Sequence, residues 1–292
     1  MLNLTIPNGS MEPSTLKLFE DADLPVHRAS ERDYRATIDD PRFAKVRFLR
    51  PPEIPLAVAQ GHFDLGICET HSILDARAEV VEAMDLGFGG RATGGQTRIV
   101  LAAPADGPIK APSDLRDGVR VSTELPNLAA DYFAKLGVNA AITYSYGATE
   151  AKIPELADAI VELTESGSSL RRAGLAIVDE LCRSSKKLIA NKATWADTEK
   201  RTAIEEIITL LGGVLQARGK VLLKMNVPED RLNELIAFLP AMKAPTVSRL
   251  FDSPYYAVET VAVKSNVNQL LPELKKHGAI DILELPISKI VA

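Results

Sequence analysis

The chain has 292 residues, long for one hydrophobic core, so two or three domains are expected. With 46% hydrophobic and 25% charged residues it is not a disordered chain, and its formal charge of −5 argues against a general nucleic-acid binder, which presents a basic face. No apolar run approaches the ~20 residues that span a bilayer, and Met1-Leu-Asn-Leu-Thr-Ile6 has none of the parts of a signal peptide. Cys68 and Cys182 stand far apart and in no metal-ligand spacing. A cytoplasmic protein with reduced, buried thiols and no membrane or nucleic-acid partner is expected.

Leu2 to Ile6 predicts a first strand and Pro7-Asn-Gly-Ser10 a turn, with Ser10 placed to cap a helix whose apolar face holds Leu16, Phe19 and Leu24. Between residues 28 and 50, Arg28, Arg32, Arg35, Arg42, Lys45, Arg47 and Arg50 outweigh Glu31, Asp33, Asp39 and Asp40, a locally basic stretch in an acidic chain and a candidate site for a polyanionic ligand. Lys45 to Leu49 predicts a second strand. Pro51 and Pro52 stop it and leave Arg50 at a rigid end, where a planar guanidinium binds phosphate bidentately or stacks on a base. A short helix from Ile54 to Gly61, a strand from Phe63 to Ile67 and an exit loop Cys68-Glu-Thr-His71 follow, with His71 read as a polar loop residue.

Arg98 to Pro104 reads as a strand crossing to a second lobe. There, strand 118–122, helix 127–136, strand 141–146 and the turn Gly147-Ala-Thr-Glu150 lead to the most informative stretch. From Asp158 to Leu163 the pattern has a period of two, then breaks into Glu165-Ser-Gly-Ser-Ser169, and Leu170 continues into a helix. Strand, small polar loop and helix N-terminus together bind phosphate, because little side-chain bulk keeps an anion from the backbone N–H groups. Asp158, Ile160 and Glu162 share one strand face, and Glu162 lies nearest the loop, within reach of the hydroxyls of a sugar whose phosphate sits there. The competing reading is an ordinary turn in which Ser166 or Ser168 caps the helix. Residues 176–182 cross back to a strand at 187–190. An amphipathic helix from Thr198 to Leu211 ends at Gly212-Gly213, which opens a link to Gly219. Strand 221–226, helix 228–238, strands 246–250 and 256–263, helix 268–277 and strand 281–286 then give the βαββαβ order of a ferredoxin-like domain.

Glu150 with Leu156-Ala-Asp-Ala-Ile-Val-Glu-Leu-Thr-Glu-Ser-Gly-Ser-Ser-Leu170 resembles the signature of the ATP phosphoribosyltransferases, the first enzymes of histidine biosynthesis. Phe48-Leu-Arg-Pro, Gly61-His-Phe-Asp-Leu-Gly-Ile67, Asp85-Leu-Gly-Phe-Gly-Gly90, Leu125-Pro-Asn-Leu128 and Pro245-Thr246 resemble further segments of that family, in family order and nearly end to end. The second of these phrases also recurs in periplasmic-binding-protein-like folds.

The resemblance implies an α/β fold with a two-lobed, periplasmic-binding-protein-like catalytic core and a C-terminal ferredoxin-like regulatory domain. Residues 1–98 with 182–217 form the first lobe, 99–181 the second and 218–292 the regulatory domain. It implies ATP and phosphoribosyl pyrophosphate as substrates, Mg²⁺ held mostly by the pyrophosphate with no metal-ligating residue assigned, histidine as inhibitor, and homodimers assembling into hexamers. By the same resemblance Glu162 and Glu150 face the ribose, and Asp158, Glu165, Ser166, Gly167, Ser168, Ser169, Arg32 and Arg50 bind substrate. Asn226, Met242, Ala244, Thr246, Val261 and Asp281 line the histidine pocket.

Five positions depart from the family pattern. Gly9 stands where a lysine is usual, Glu69 where a glycine, His71 where an acid or amide, Asn226 where an acid and Asp281 where a small residue. The spacing from Glu150 to Glu162 is also one residue shorter. A two-lobed cytosolic sensor without catalysis is the competing expectation, against which the acid-plus-phosphate loop and the appended βαββαβ domain both speak.

Overall fold

The computed structural model describes residues 1–87, 97–239 and 244–291. The chain divides into two compact units, Met1–Ile208 and Thr209–Ala292.

The first unit opens with β1 (Leu2–Pro7), α1 (Glu12–Asp21), β2 (Val26–His27), β3 (Arg35–Ile38), β4 (Phe43–Leu49), α2 (Ile54–Ala59), β5 (Leu65–Glu69), α3 (Thr70–Asp75) and β6 (Val81–Asp85). It continues through β7 (Thr97–Pro104), β8 (Arg120–Thr123), α4 (Pro126–Lys135), β9 (Ala141–Tyr144), β10 (Ala159–Thr164), α5 (Ser168–Arg172) and β11 (Leu175–Ser184). It then returns by β12 (Lys186–Ala190), α6 (Lys192–Ala196) and α7 (Thr198–Ala217), the last of which runs on into the second unit.

Two sheets result, one of order β2-β3-β4-β1-β5-β12-β6 and one of order β11-β7-β10-β8-β9. Their cores follow one plan. In β4-β1-β5 and in β9-β8-β10 the strands are parallel, and each trio is flanked by an antiparallel strand, β12 or β7. Those antiparallel strands are where the chain arrives from the other sheet, as in a two-lobed binding fold. Gly66 explains how tightly α2 lies on the first sheet: a Cβ there would stand 2.7 Å from Ile54 Cγ2 and 2.8 Å from Val58 Cγ2. The lobes meet where α3 faces α4. Asp75 Oδ1 accepts from the N–H groups of Asn127 (2.9 Å) and Leu128 (3.0 Å), satisfying two donors at the start of α4 from across the boundary.

The second unit holds β13 (Lys220–Pro228), α8 (Leu232–Phe238), β14 (Thr246–Arg249), β15 (Tyr255–Val263), α9 (Lys264–Lys276) and β16 (Ile280–Pro286), with sheet order β14-β15-β13-β16. Leu223, Met225, Val258, Leu235, Val267 and Leu274 form the core on one face of this ferredoxin-like sheet.

Several local expectations need correction. Ser10 does not cap α1, which starts at Glu12; the hydroxyls of Ser14 and Thr15 instead donate back to the carbonyl of Met11. The short strands β2 and β3 escaped notice because β2 has two residues and β3 shows only two buried positions, Ala36 and Ile38. His71 lies not in a loop but buried in the first turn of α3. Gly212-Gly213 does not break α7. A Cβ on Gly213 would lie 3.3 Å from Val291 Cγ2 and 3.4 Å from Lys289 Cβ, and its carbonyl accepts from Ile290 N at 2.9 Å. The glycine lets the C-terminal segment run against the helix.

Asp64 ties three elements of the first unit together from a buried position. It accepts from Asn3 N, the Thr194 hydroxyl and Lys200 Nζ, each at 2.8 Å. Burial opposes its ionisation, but Lys200 and the two neutral donors outweigh burial and hold its pKa below the usual carboxylate value. Asp64→Ala is expected to lower the unfolding free energy by about 2–4 kcal/mol, measured as a lower urea midpoint. A depressed native pKa contributes stability above the unfolded-state pKa, so the wild-type advantage should fade as pH drops below about 4.

Candidate active site

The parallel strands β8, β9 and β10 end on one edge of the second-lobe sheet, where open α/β sheets bind ligands. β10 delivers Glu162, which is half-buried. Its Oε1 accepts from Leu163 N at 2.9 Å, and the Thr149 hydroxyl stands near its carboxylate. Burial is the main influence on Glu162 and raises its pKa. Leu163 N–H and the Thr149 hydroxyl pull it back, and the charges of Glu124 and Glu150 push it up further. Glu124 follows β8, while Glu150 is exposed in the short 3₁₀ turn Thr149–Lys152 that follows β9.

Lys152 stands in the same 3₁₀ turn as Glu150. Lys152 Nζ donates to Ser145 Oγ at 2.5 Å, and Ser145 Oγ lies 2.9 Å from Thr149 Oγ1. Lys152, Ser145 and Thr149 thus form a short polar chain beside the half-buried Glu162. Glu124, Ser145, Thr149 and Lys152 were not picked out from the sequence, because they reach Glu162 only through strand pairing.

Beyond β10, Gly167 has φ +71° and its N–H donates to Thr164 Oγ1 at 2.9 Å. Arg171 closes the other side, with its backbone N–H on Gly167 O at 3.1 Å and Nη1 on Ser166 O at 3.0 Å. A Cβ on Gly167 would press on Ile177 Cδ1 at 3.1 Å and Arg171 Nη1 at 3.2 Å. The N-cap of α5 is Gly167, with no side-chain cap, and the contact from Ser168 N to Ser166 Oγ is long at 3.4 Å. Neither serine therefore acts as a plain helix cap. Leu170 is buried and anchors the turn, Glu165 opens it, and Ser166, Ser168 and Ser169 expose their hydroxyls.

Asp158 lies at the opposite end of β10 from this loop. It stands just before the strand that Thr164 ends, roughly 20 Å from the loop at about 3.3 Å per residue. Arg120 occupies its carboxylate at 2.6 Å. A shared strand face says nothing about which end of the strand a residue serves.

On the first lobe β1, β4 and β5 end on a common edge. Gly9 (φ +73°) and Arg50 lie there, with Asn8 N bonded to Leu49 O at 2.9 Å. Arg50 is exposed and its backbone N–H is pinned by Glu53 Oε2 at 3.0 Å; Arg32 is exposed in the loop before β3. His71 presents both its N–H and Nδ1 to Ser184 Oγ, at 3.1 and 2.8 Å, and burial pushes its pKa down to about 4, so its ring is neutral at pH 7. Glu69 Oε2 lies 3.6 Å from His71 Nε2; burial raises its pKa and Lys186 opposes that rise. Lys186, opposite Glu69 in the β5–β12 register, is buried and donates to Ser14 Oγ.

In the second unit Asn226, Thr246 and Val261 alternate with the core residues of their strands, on the sheet face away from α8 and α9. Asn226 Nδ2 donates to Asp281 Oδ2 at 2.9 Å. Ala244 is exposed, and Met242 lies outside the described residues. Among the described residues no group of three or more His, Cys, Asp or Glu is placed to hold a metal ion, and no helix is long and apolar enough to cross a membrane.

A two-lobed α/β core with a glycine-centred loop and a half-buried acid at one strand end, and an appended ferredoxin-like domain, describes a class of two-lobed α/β protein with a regulatory-type module. Family comparison narrows it. The family described as ATP phosphoribosyltransferase matches residues 50–213, and the HisG C-terminal domain matches residues 217–289. The chain is 42% identical over 290 residues to the ATP phosphoribosyltransferase of Pelotomaculum thermopropionicum, covering 99% of both. It is 43% identical to that of Chlorobaculum parvum, covering 100% of this chain and 98% of the relative. The solved ATP phosphoribosyl transferase (HisG:HisZ) complex from Thermotoga maritima contains a chain that is 24% identical with a TM-score of 0.63, covering 74% of this chain and 99% of that one. That likeness bears on fold. The chain belongs to the ATP phosphoribosyltransferase family.

A carboxylate whose native pKa is raised costs stability above its unfolded-state pKa and nothing below it. Glu162→Gln should therefore raise the melting temperature at pH 7–8 and leave it unchanged near pH 4, as followed by circular dichroism.

Proposed function

We propose that this chain transfers the 5-phosphoribosyl group of phosphoribosyl pyrophosphate to N1 of ATP. The N1 lone pair forms a bond to C1 of the ribose as the C1–oxygen bond breaks, and pyrophosphate leaves with inversion. The observation that carries this reading is Glu162 and the 165–169 loop at one strand end, in a chain that matches the family over its full length. Family membership leaves the non-catalytic sensor without support.

Such displacements pass through oxocarbenium-like states, so the protein's work is placement and charge. Residues 165–169 anchor the 5-phosphate. Glu162, and Glu150 beside it, hold the ribose hydroxyls and favour positive charge developing at C1. Arg50 and Arg32 face ATP or the pyrophosphate. Mg²⁺ enters on the substrate, held mostly by the pyrophosphate oxygens. Asp158 takes no part and serves Arg120.

Histidine inhibits through the second unit, with Asn226, Ala244, Thr246, Val261, Asp281 and Met242 as the contacts. Assembly into homodimers and hexamers, and a place in the cytoplasm, belong to the same proposal.

A coupled absorbance assay with ATP, phosphoribosyl pyrophosphate, Mg²⁺ and pyrophosphatase is expected to show product that millimolar histidine suppresses. Gly167→Ala should raise KM for phosphoribosyl pyrophosphate about tenfold through strain and crowding in the loop. Glu162→Gln should lower kcat about 10²-fold, the scale of losing one electrostatic partner of a transition state. No product from folded wild-type protein would overturn the proposal. Product that histidine leaves untouched would overturn its regulatory part alone.

A further inference from the structure

The outer strands of the seven-stranded sheet concentrate positive charge that the proposed reaction leaves unused. Arg35 on β3 lies directly opposite Arg47 on β4. Antiparallel partners leave the sheet on the same face with Cβ atoms about 5 Å apart, and like charges so placed repel. Neither guanidinium forms an ion pair among the described residues. Arg47 Nη1 donates to the carbonyl of Val46 at 2.9 Å, and the contact of Arg35 is from its backbone N–H to Asp33 Oδ1 at 2.8 Å. Lys45, two residues before Arg47 and so on the same face, places Nζ 5.6 Å from the Phe63 ring centre rather than against a carboxylate.

These three cations, with His27, Arg28 and Asp33, line a hollow of about 500 Å³. The neighbouring basic residues are already engaged: Arg28 with Glu12 above the Phe48 ring, and Arg42 with Asp40 at 2.7 Å. In a chain of net charge −5, an uncompensated trio held on paired strands is a local exception.

We propose that this hollow binds a phosphate chain of two or more phosphoryl groups. Guanidinium groups match phosphate oxygens bidentately, and their strand positions fix them before the ligand arrives. One carboxylate or one phosphate would leave most of the repulsion in place, whereas a di- or triphosphate brings several negative charges within reach of all three cations. A hollow of this size is that of a small-molecule site and does not admit a nucleic-acid duplex. The site lies on the first-lobe sheet, apart from the 165–169 loop of the second, and stands whether or not the proposed reaction holds. The chain could belong to free polyphosphate or to a nucleotide.

Calorimetric titration at low salt with inorganic tripolyphosphate, ATP and AMP tests this on the full-length protein and on Arg35→Gln/Arg47→Gln. Tripolyphosphate is expected to bind the wild type and to bind the double variant at least tenfold more weakly, with AMP binding the same in both. ATP behaving like tripolyphosphate would identify a nucleotide's phosphate chain; tripolyphosphate binding without ATP would identify the free anion. Thermal melting supplies a second reading. Without anion the double variant should melt higher than wild type, because a repulsive pair is gone, and saturating tripolyphosphate should reverse that order. Equal tripolyphosphate affinity in both proteins, or no binding by folded wild type, would overturn the proposal.

Discussion

The catalytic unit depends on β10 being buried on both faces. Ala159, Ile160 and Val161 are almost wholly inaccessible, with Leu101, Val121 and Phe133 on one side and Val100, Leu170 and Leu175 on the other. A strand enclosed in this way has one register, since a slip of one residue would exchange its faces. Ladders to β7 and β8 lock it, setting Glu162 opposite Val100 and Val161 opposite Thr123. The acid therefore arrives at the sheet edge at a fixed height, with the 165–169 loop beginning just beyond it. A half-buried carboxylate is the cost, offset in part by Leu163 N–H and the Thr149 hydroxyl. Function and stability pull in opposite directions at this residue.

The loop was legible in the sequence because its signal is local. A period of two gives way to five small or polar residues, and Gly167 does adopt the left-handed backbone that such a loop needs. The second unit was legible for a similar reason, since each of its elements carries its own periodicity. What was hidden depends on partners far along the chain. Asp158 and Glu162 look equivalent on one strand face until the direction of β10 sends one to Arg120 and the other to the site. Lys152 and Ser145 matter only because β9 and β10 flank β8. Gly212-Gly213 carried a helix-breaking signal, but Gly213 answers to close packing with residues 289–291.

The departures from the family pattern make more sense in three dimensions than singly. Asn226 and Asp281 are direct hydrogen-bond partners across neighbouring strands, so the acid missing at one position returns at the other. Asp281 has φ +50°, a conformation that Asp tolerates better than most residues, which places its carboxylate at the strand's start without needing glycine. On the first lobe, Glu69 and Lys186 face each other in register, with His71 neutral beside them. These groups put an acid beside the lysine on the first-lobe edge.

The central claim is that the ends of β8, β9 and β10 receive the phosphoribosyl group. Hydrogen–deuterium exchange with and without phosphoribosyl pyrophosphate and Mg²⁺ addresses it most directly, because it reports where the backbone becomes protected. The account predicts slowed exchange in peptides covering residues 145–152 and 164–170, with residues 154–158 unaffected. Protection confined to the Asp158 end of the sheet, or absent from both predicted segments while the ligand is bound, would contradict it.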